Sequence, residues 1–278
     1  MDYYSHPAMS RSKLVDLDNM TPYKFWCKYI DKSIIQESTQ AFDFGKAFHS
    51  KILEPELFDN EFSFMPKIDR RTKVGKEEYQ DFIDNNSNKT VLDNKDFITL
   101  DSMEASINSD KFIDAKQMIQ SSTSNEEEFY FELQGLEFRA KLDSINTKDH
   151  IIIDIKTCRD AFIDGLQFGK EMIKYHNAEQ VYIYIEAYKY KYNAYPNFYF
   201  ITFEKSSPFE IQIFDASVLY EYGKYKVTKL IDKYKNLLEI FGNNPWIDNS
   251  IQYAELPVWA EHQCEEVSLI MDDEEVII

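Results

Sequence analysis

Residues 136–157, LEFRAKLDSINTKDHIIIDIKT, decide the interpretation of this chain. Both halves of the stretch are rich in β-branched and aromatic residues and flank a polar centre, which is typical of a β-hairpin. A turn centred between Lys148 and Asp149 places Asp143 directly opposite Asp154, because both positions are equally far from that centre. Directly opposed side chains on one sheet face have Cβ atoms about 4.5–5.5 Å apart. The sequence therefore predicts a close pair of carboxylates.

A close pair of carboxylates is typical of a metal site, because the charges repel unless a cation lies between them. Hard oxygen ligands suit Mg²⁺ or Mn²⁺. Lys156 lies two residues beyond Asp154 and shares its face. The same counting places Lys141 opposite Lys156, with Arg139 next along. These parts suit phosphodiester hydrolysis, in which the metal activates a water that Lys156 orients while Arg139 and Lys141 hold flanking phosphates. The alternative is a solvated hairpin with cross-strand ion pairs, since Asp-x-Lys is a common sequence.

The composition indicates one large domain in a reducing compartment. The chain has 278 residues, 44% of them hydrophobic, and only 7 glycines and 8 prolines, so we expect a single domain over residues 1–278. The cysteines are odd in number and far apart, which argues against a disulfide framework and against a four-cysteine iron–sulfur cluster. No apolar run reaches the roughly 18–20 residues of a membrane span, and the N-terminus lacks the pattern of a signal peptide. We therefore expect a cytoplasmic protein without membrane contact.

The net charge of −18 is unusual for a protein that binds DNA, because phosphate contacts normally require a basic surface. Residues 265–278 contain acidic residues and no basic one, which is typical of a solubilising or partner-facing tail. If the chain binds DNA, its basic residues must be concentrated. Besides Arg139 and Lys141, the candidates lie in a predicted loop and at the first helix start, where anions bind: Arg70, Arg71, Lys73, Arg11 and Lys13. A merely solvated loop is an equally good interpretation of 67–76.

The spacing of apolar residues changes near residue 126 and divides the chain into three parts. Residues 1–125 are mainly helical, with helices expected over 10–29 (interrupted at 21–22), 36–53, 75–85, 94–108 and 110–120, and a loop over 56–74. Residues 126–214 combine strands at 127–133, 136–145, 151–157, 197–203 and 210–214 with helices at 159–174 and 178–192. Residues 215–278 contain a long helix over 216–241 and the acidic tail. This order predicts an α/β fold, an α+β sandwich with a central mixed β-sheet flanked by helices.

Two predicted helices carry residues at a spacing of four, which places each pair on one helical face. Gly45 and His49 form the first pair. We expect the glycine to let its helix approach a neighbour closely, so that the imidazole comes near a buried site. Gln180 and Tyr184 form the second pair, after the third strand. Taken alone, the histidine fits a satisfied core residue and the second pair fits an ordinary amphipathic helix.

The order of these motifs resembles the RecB-like branch of the PD-(D/E)xK nuclease superfamily, and more specifically the RecE-type domain of exodeoxyribonuclease VIII. The series is Gly-x-x-x-His, then Asp143, then Asp154-x-Lys156, then Gln-x-x-x-Tyr. The similarity covers nearly the whole chain and includes MSRSKL at 9–14, FGKAFH at 44–49, LEPE at 53–56, RRTKVGKEE at 70–78, IDIKT at 153–157, Tyr175-His176-x-x-x-Gln180 and LPVW at 256–259. One position departs from the pattern, because Leu142 stands where the superfamily name has proline.

The resemblance implies a restriction-endonuclease-like core and a role for each matching residue. It assigns metal binding, with Mg²⁺ as the ion and Mn²⁺ as its substitute, to Asp143, Asp154, His49 and the main-chain carbonyl of Ile155. It assigns to Lys156 the role of orienting the attacking water. Gln180 and Tyr184 would hold the site or the phosphate at the cut. Two further acids, Glu56 and Glu126, have no assigned place.

The resemblance also implies a processive, ATP-independent exonuclease in a bacterial or phage-infected cell. It implies a ring-shaped homo-oligomer, a trimer or a tetramer, through which double-stranded DNA is threaded. The enzyme would digest the 5′-ended strand of linear duplex and leave a 3′ overhang for a single-strand annealing recombinase. Two other classes stay open: another PD-(D/E)xK nuclease, such as a single-strand exonuclease or an endonuclease, and a non-catalytic DNA-end-binding subunit. The intact acidic pair with Lys156 disfavours the last, and the absence of a Gly-x-x-x-x-Gly-Lys-Ser/Thr sequence disfavours a built-in helicase.

Overall fold

The computed structural model describes residues 3–35 and 38–263, which belong to two compact units. The first unit, Met1–Pro245, contains all the helices and strands labelled below. In the second unit, Trp246–Ile278, the description ends with a short helix at 258–263. The acidic tail at 265–278 lies outside the described residues.

Most helices of the N-terminal part begin at a side chain that accepts a hydrogen bond from an otherwise unpaired N–H of the first turn. Thr72, for example, accepts from Gly75 N at 2.9 Å. A break expected at 21–22 is confirmed, because one helix ends at Asn19 and the next begins at Pro22. The seven helices are α1 (Arg11–Asn19), α2 (Pro22–Tyr29), α3 (Gln40–Leu53), α4 (Pro55–Glu61), α5 (Lys73–Asn85), α6 (Asn94–Ile107) and α7 (Ile113–Gln120).

A small parallel sheet lies among these helices, formed by β1 (Phe62–Phe64) and β2 (Thr90–Leu92). The expected loop over 56–74 is therefore wrong over 56–64, where α4 and β1 lie. Phe58 and Phe62 bury their rings in the core. Strands of three residues are too short to show an alternating pattern, so the sequence carried no signal for them.

The main sheet contains five strands in the order β3-β4-β5-β6-β7. All neighbours are antiparallel except β5 and β6, which are parallel and therefore need a long crossover between them. The expected mixed sheet is confirmed. The strands are β3 (Ser124–Leu133), β4 (Leu136–Asn146), β5 (Ile151–Cys158), β6 (Asn197–Glu204) and β7 (Ile211–Asp215).

The crossover consists of α8 (Gly165–Lys174) and α9 (Asn177–Tyr192), and α10 (Tyr220–Phe241) follows the last strand. The first of these helices begins six residues later than the expected start at 159. Asp164 sets this start, because its carboxylate accepts a hydrogen bond from Gln167 N at 2.7 Å. None of the helices in the described ranges combines the length and apolar character that crossing a bilayer demands.

The sheet separates two hydrophobic cores. Phe138, Leu142 and Ile152 face one core, which contains residues of α8, α9 and α10. Ile153 and Ile155 face the other, which contains residues of α3 and α6. Successive residues of β5 thus point to opposite faces, and helices cover both sides. The predicted fold, a central mixed sheet flanked by helices, is confirmed.

Candidate metal centre

The site forms where β4 and β5 separate. Their ladder has three pairs, of which Ser144–Ile153 is the last, and the same register continued by one step would pair Asp143 with Asp154. Instead of a ladder bond, the Asp143 Oδ2 atom accepts a hydrogen bond from the main-chain N–H of Ile155 at 3.0 Å. The hairpin register expected from the sequence is therefore present, and the strands diverge at the acidic pair.

Asp154 lies in the cleft where β4 and β5 diverge, and it is fully buried. Its Oδ2 atom accepts a hydrogen bond from Gln180 Nε2 at 2.5 Å, and its Oδ1 atom forms an ion pair with Lys156 Nζ. Lys156 is on the same strand two residues later, as the pleat requires. The structure thus brings three of the expected site residues into direct contact.

Asp143 belongs to a second group, in which His49 and Glu126 also point into the cleft. The Nδ1 atom of His49 lies 3.4 Å from Asp143 Oδ2 and 3.8 Å from Glu126 Oε1. One ligand atom from each of these three residues lies within 4.8 Å of the others, which is a spacing that a metal ion can bridge. His49 is thus placed at the site rather than in a core.

Glu126 is a site residue for which no place was predicted. Its backbone has a φ of 50°, and it interrupts the ladder between the pairs Asn125–Ser144 and Glu127–Leu142. The register on either side of it places Glu126 opposite Asp143. Counting outward from a turn at Gln134-Gly135, as for β4 and β5, could therefore have found it. The structure assigns no comparable contact to the other unplaced acid, Glu56, among the described residues.

The expected role of Gly45, to let its helix approach a neighbouring element closely, is wrong. A Cβ built on this residue would meet no atom within 4 Å, so close packing between α3 and a neighbouring element does not require glycine there. His49 reaches the site because α3 packs against the sheet through Phe44, Ala47 and Phe48, which are buried.

The acidic pair is electrostatically costly without a cation. Burial in the first place, and the charge of Asp154 in the second, raise the pKa of Asp143 to about 7. Burial alone would lower the pKa of His49, but the nearby carboxylates of Asp143 and Glu126 outweigh it and raise that pKa. Burial would raise the pKa of Glu126, but His49 and Lys141 outweigh it and lower that pKa. Protons and neighbouring cations thus stabilise a cluster that a divalent ion would also stabilise.

The donor set fits a divalent metal. Two carboxylates and one imidazole nitrogen suit Mn²⁺ well and Mg²⁺ through the oxygen atoms. Asp143, Glu126 and His49 would hold the ion, and the expected metal contact of Asp154 stays a prediction. The expected carbonyl ligand of Ile155 stays a prediction, since the contact that the structure shows for this residue is made by its N–H.

Tyr184 lies one turn after Gln180 on α9 and is partly buried beside both aspartates. Burial first, and the charges of Asp154 and Asp143 next, raise its pKa well above the ordinary value. The phenol therefore stays neutral and can donate a hydrogen bond. Its expected contact with a phosphate stays a prediction.

The basic residues expected beside the site have defined partners. Lys141 Nζ forms an ion pair with Glu126 Oε2 at 2.8 Å. The expected pairing of Lys141 with Lys156 is not formed, because the ladder between their strands ends before them and Lys141 lies opposite Glu128. Arg139 is 7% exposed and lies over the ring of Tyr3, 4.6 Å from its centroid. Its Nε and Nη1 atoms have no hydrogen-bond partner among the described residues.

The two basic residues of α1 are bound within the protein. The guanidinium of Arg11 donates to the carbonyl oxygens of Tyr175 and His176, at 2.6 and 3.2 Å, and so ties α1 to the start of α9. Lys13 Nζ donates to two carbonyl oxygens at 2.6 and 2.8 Å. Burial, with the nearby Arg139 charge, lowers the pKa of Lys13 to about 8. These hydrogen bonds give both residues a structural role, and their contact with DNA stays a prediction.

Comparison with known proteins identifies the family. Residues 10–245 match the family described as a PDDEXK-like domain of unknown function (DUF3799). The chain belongs to this family. Its membership confirms the resemblance to the PD-(D/E)xK superfamily, while RecE-type specificity stays a prediction.

One similar solved structure is that of a candidate exonuclease from Eubacterium rectale, with a TM-score of 0.59 and 13% sequence identity. The match covers 94% of this chain and 96% of that one. At this identity the likeness supports the fold. A search among proteins of curated function finds no match.

The charge cluster predicts a pH-dependent response to metal. The pKa of Asp143 is raised to about 7 in the folded protein, so the proton stabilises the fold at low pH and this contribution disappears as pH rises through 7. A bound divalent cation replaces the proton. We therefore expect Mn²⁺ to raise the melting temperature by roughly 3 °C or more at pH 8.5 and by much less at pH 5.5.

Differential scanning fluorimetry with and without Mn²⁺ measures this difference. Asp143→Asn is the matched control, because it removes the titrating group and a metal ligand at once and should abolish the pH-dependent shift. A metal response of equal size at both pH values in the unaltered protein would contradict the assigned cluster.

Proposed function

We propose that this protein is a metal-dependent nuclease. The observation that carries the proposal is the arrangement in one cleft of a buried acidic pair, Asp143 and Asp154, with Lys156 in contact with the second acid. A buried pair of like charges destabilises the fold, so a functional reason for it is needed. Membership of a PDDEXK-like family supports the same conclusion.

The residues of the cleft suit the hydrolysis of a phosphodiester. A bound divalent ion supplies charge for the phosphoryl oxygen and lowers the pKa of a water. Asp143, Glu126 and His49 would hold that ion. Lys156 is held against Asp154, where its ammonium can orient the attacking water and stabilise the additional negative charge. Gln180 fixes the opposite side of the Asp154 carboxylate and so keeps the acid in one orientation.

We propose further that the substrate is linear double-stranded DNA. The enzyme would be an exodeoxyribonuclease that uses Mg²⁺, or Mn²⁺ in its place, and digests in the 5′→3′ direction to leave 3′ single-stranded overhangs. A ring-shaped homo-oligomer would enclose the DNA, and a single-strand annealing recombinase would receive the overhang in the cytoplasm. The sequence resemblance to RecE-type enzymes supports these finer points.

A labelled-substrate assay tests the proposal. Linear duplex labelled at either the 5′ or the 3′ end, and a covalently closed circle of the same sequence, are incubated with protein and Mg²⁺. Mononucleotides released first from the 5′ label, with the circle intact, are the expected result. Cleavage of the circle would make the protein an endonuclease of the same superfamily, and digestion of single strands alone would make it a single-strand exonuclease. If the protein bound DNA ends but cleaved nothing in Mg²⁺ or in Mn²⁺, the proposed nuclease activity would be contradicted.

The loop before α5 offers a separate test of DNA contact. Arg71 lies against Asp69, with Nε 2.9 Å from Oδ1, Arg70 stacks on Tyr79 at 4.1 Å, and Lys73 Nζ lies 3.9 Å from Glu77. Exposed ion pairs of this kind are weak and can exchange for a phosphate. We expect the combined replacement of Arg70, Arg71 and Lys73 by alanine to weaken duplex binding equally for all sequences. The salt slope should fall by about 0.9 for each phosphate that the variant no longer neutralises.

The control for this loop is a triple replacement of the same charge elsewhere, Lys95, Lys111 and Lys224, all exposed. Fluorescence anisotropy over a range of salt concentrations gives both slopes. If the loop variant and the control variant have the same slope as the unaltered protein, the loop does not contact DNA.

A further inference from the structure

Two exposed aromatic rings lie near Lys46 of α3, the helix that also carries His49. Tyr4 is 62% exposed and Phe42 is 54% exposed, although large aromatic side chains usually bury much more of their surface. Lys46 lies between them, with its Nζ atom 5.4 Å from the centroid of the Tyr4 ring and 4.7 Å from that of Phe42. We call these three residues the aromatic platform.

The platform is connected to the metal centre through α3. Phe42, Lys46 and His49 are separated by four and three residues, so they lie along one face of this helix. Gly45 belongs to the same face, and the space in front of it is open. Phe42 and Lys46 thus share a helical face with the imidazole that lies 3.4 Å from Asp143.

Further cations lie near Tyr4 and its neighbour Tyr3. Lys141 lies within electrostatic range of Tyr4. The ring of Tyr3 packs edge-on against Tyr4, with centroids 5.2 Å apart, and the buried guanidinium of Arg139 lies 4.6 Å from the Tyr3 centroid. Two nitrogen atoms of Arg139 have no hydrogen-bond partner among the described residues. The platform therefore combines exposed π-faces with positive charge in a chain whose net charge is −18.

Aromatic faces beside cations suit one ligand class in particular. Single-stranded nucleic acids bind where bases stack on aromatic side chains while lysine or arginine contacts the phosphates. We propose that the Tyr4–Phe42–Lys46 platform stacks an unpaired nucleobase of the DNA strand and so holds this strand in line with the metal centre. The inference rests on the proposed nuclease function and adds to it a site that recognises an unpaired base.

The proposal distinguishes base stacking from simple charge attraction. Binding is measured by fluorescence anisotropy in EDTA, where no metal-dependent cleavage occurs. Two labelled strands are compared: one of about twelve thymidines, and one of the same length and charge in which every base is absent. We expect Tyr4→Ala to weaken binding of the thymidine strand by about tenfold or more. Binding of the abasic strand should be unchanged, and Tyr4→Phe should behave as the unaltered protein.

Two further variants complete the experiment. Lys46→Gln should weaken binding of both strands to the same degree, because it removes charge and no ring. The matched control is Tyr195→Ala, because Tyr195 is 73% exposed and also carries a lysine over its ring, at 4.3 Å. It follows the end of α9, whose last residue is about 18 Å along the helix from Gln180. This variant should bind both strands normally.

The results separate the platform from the nuclease function. Equally weakened binding of both strands in Tyr4→Ala, or unchanged binding of both, would overturn base stacking. Neither result would bear on the proposed Mg²⁺-dependent nuclease activity. Failure of the unaltered protein to bind the thymidine strand more tightly than the abasic strand would also overturn it. Phe42→Ala guards against a folding defect in the N-terminal turn, since it should reproduce the base-specific effect from the other side of Lys46.

Discussion

We expect Asp154→Asn to remove the proposed metal-dependent digestion of DNA and to leave the fold at least as stable as before. The amide has the shape of the carboxylate but carries no charge, so the attacking water and the metal lose the acid that borders them. We expect the rate to fall by at least about 10²–10³. The charge of Asp154 raises the pKa of Asp143, so its removal relieves repulsion between two buried acids. The metal-free variant should therefore melt no lower than the unaltered protein at pH 8.

Initial rates on linear duplex, together with thermal melting in EDTA, measure both effects. Asp160→Ala is a suitable control, because Asp160 is an exposed acid that follows the same strand and should not affect either quantity. A folded Asp154→Asn protein that digests DNA at nearly the normal rate would refute the assignment of the site. A large decrease in stability would show that the ion pair with Lys156 outweighs the repulsion.

Lys156→Met abolishes most of the activity for a different reason. The methionine keeps the apolar part of the side chain and removes the ammonium, whose Nζ atom lies 5.5 Å from the centroid of the Phe200 ring. If that ammonium acts as one preorganised donor to the reacting phosphate and water, its removal lowers kcat by about 10²–10³. Metal binding should persist, because Asp143, Glu126 and His49 are unchanged. The Mn²⁺-induced rise in melting temperature therefore remains while turnover disappears.

The comparison of two lysines makes this test specific. Lys205→Met removes an exposed ammonium that also lies near a phenylalanine ring, at 5.7 Å from the centroid of Phe44, and should leave kcat unchanged. Single-turnover digestion with saturating protein separates the chemical step from binding. A normal single-turnover rate in Lys156→Met would show that this residue does not take part in the chemical step.

The sequence by itself determined the fold class and the register of the decisive hairpin. In β4, Phe138, Ala140 and Leu142 alternate with polar or charged residues and face one core, whereas the isoleucines of β5 face both cores. The polar turn between these strands fixed the register, so that the pairs Ser144–Ile153 and Asn146–Ile151 could be counted in advance. The direction in which a strand side chain points and the register of a hairpin both depend on residues close together in the chain, so the local sequence can predict them.

Tertiary structure alone decided how the site is completed. His49 of α3 meets Asp143 and Glu126 of the sheet because these separate elements pack together there. Arg11 and Lys13, which looked available for phosphate, donate instead to carbonyl oxygens of distant or preceding segments. Gly45 faces open space rather than a packed helix. Each of these outcomes depends on where separate elements meet and how their backbones bend there, and the spacing of residues within one element carries no information about that.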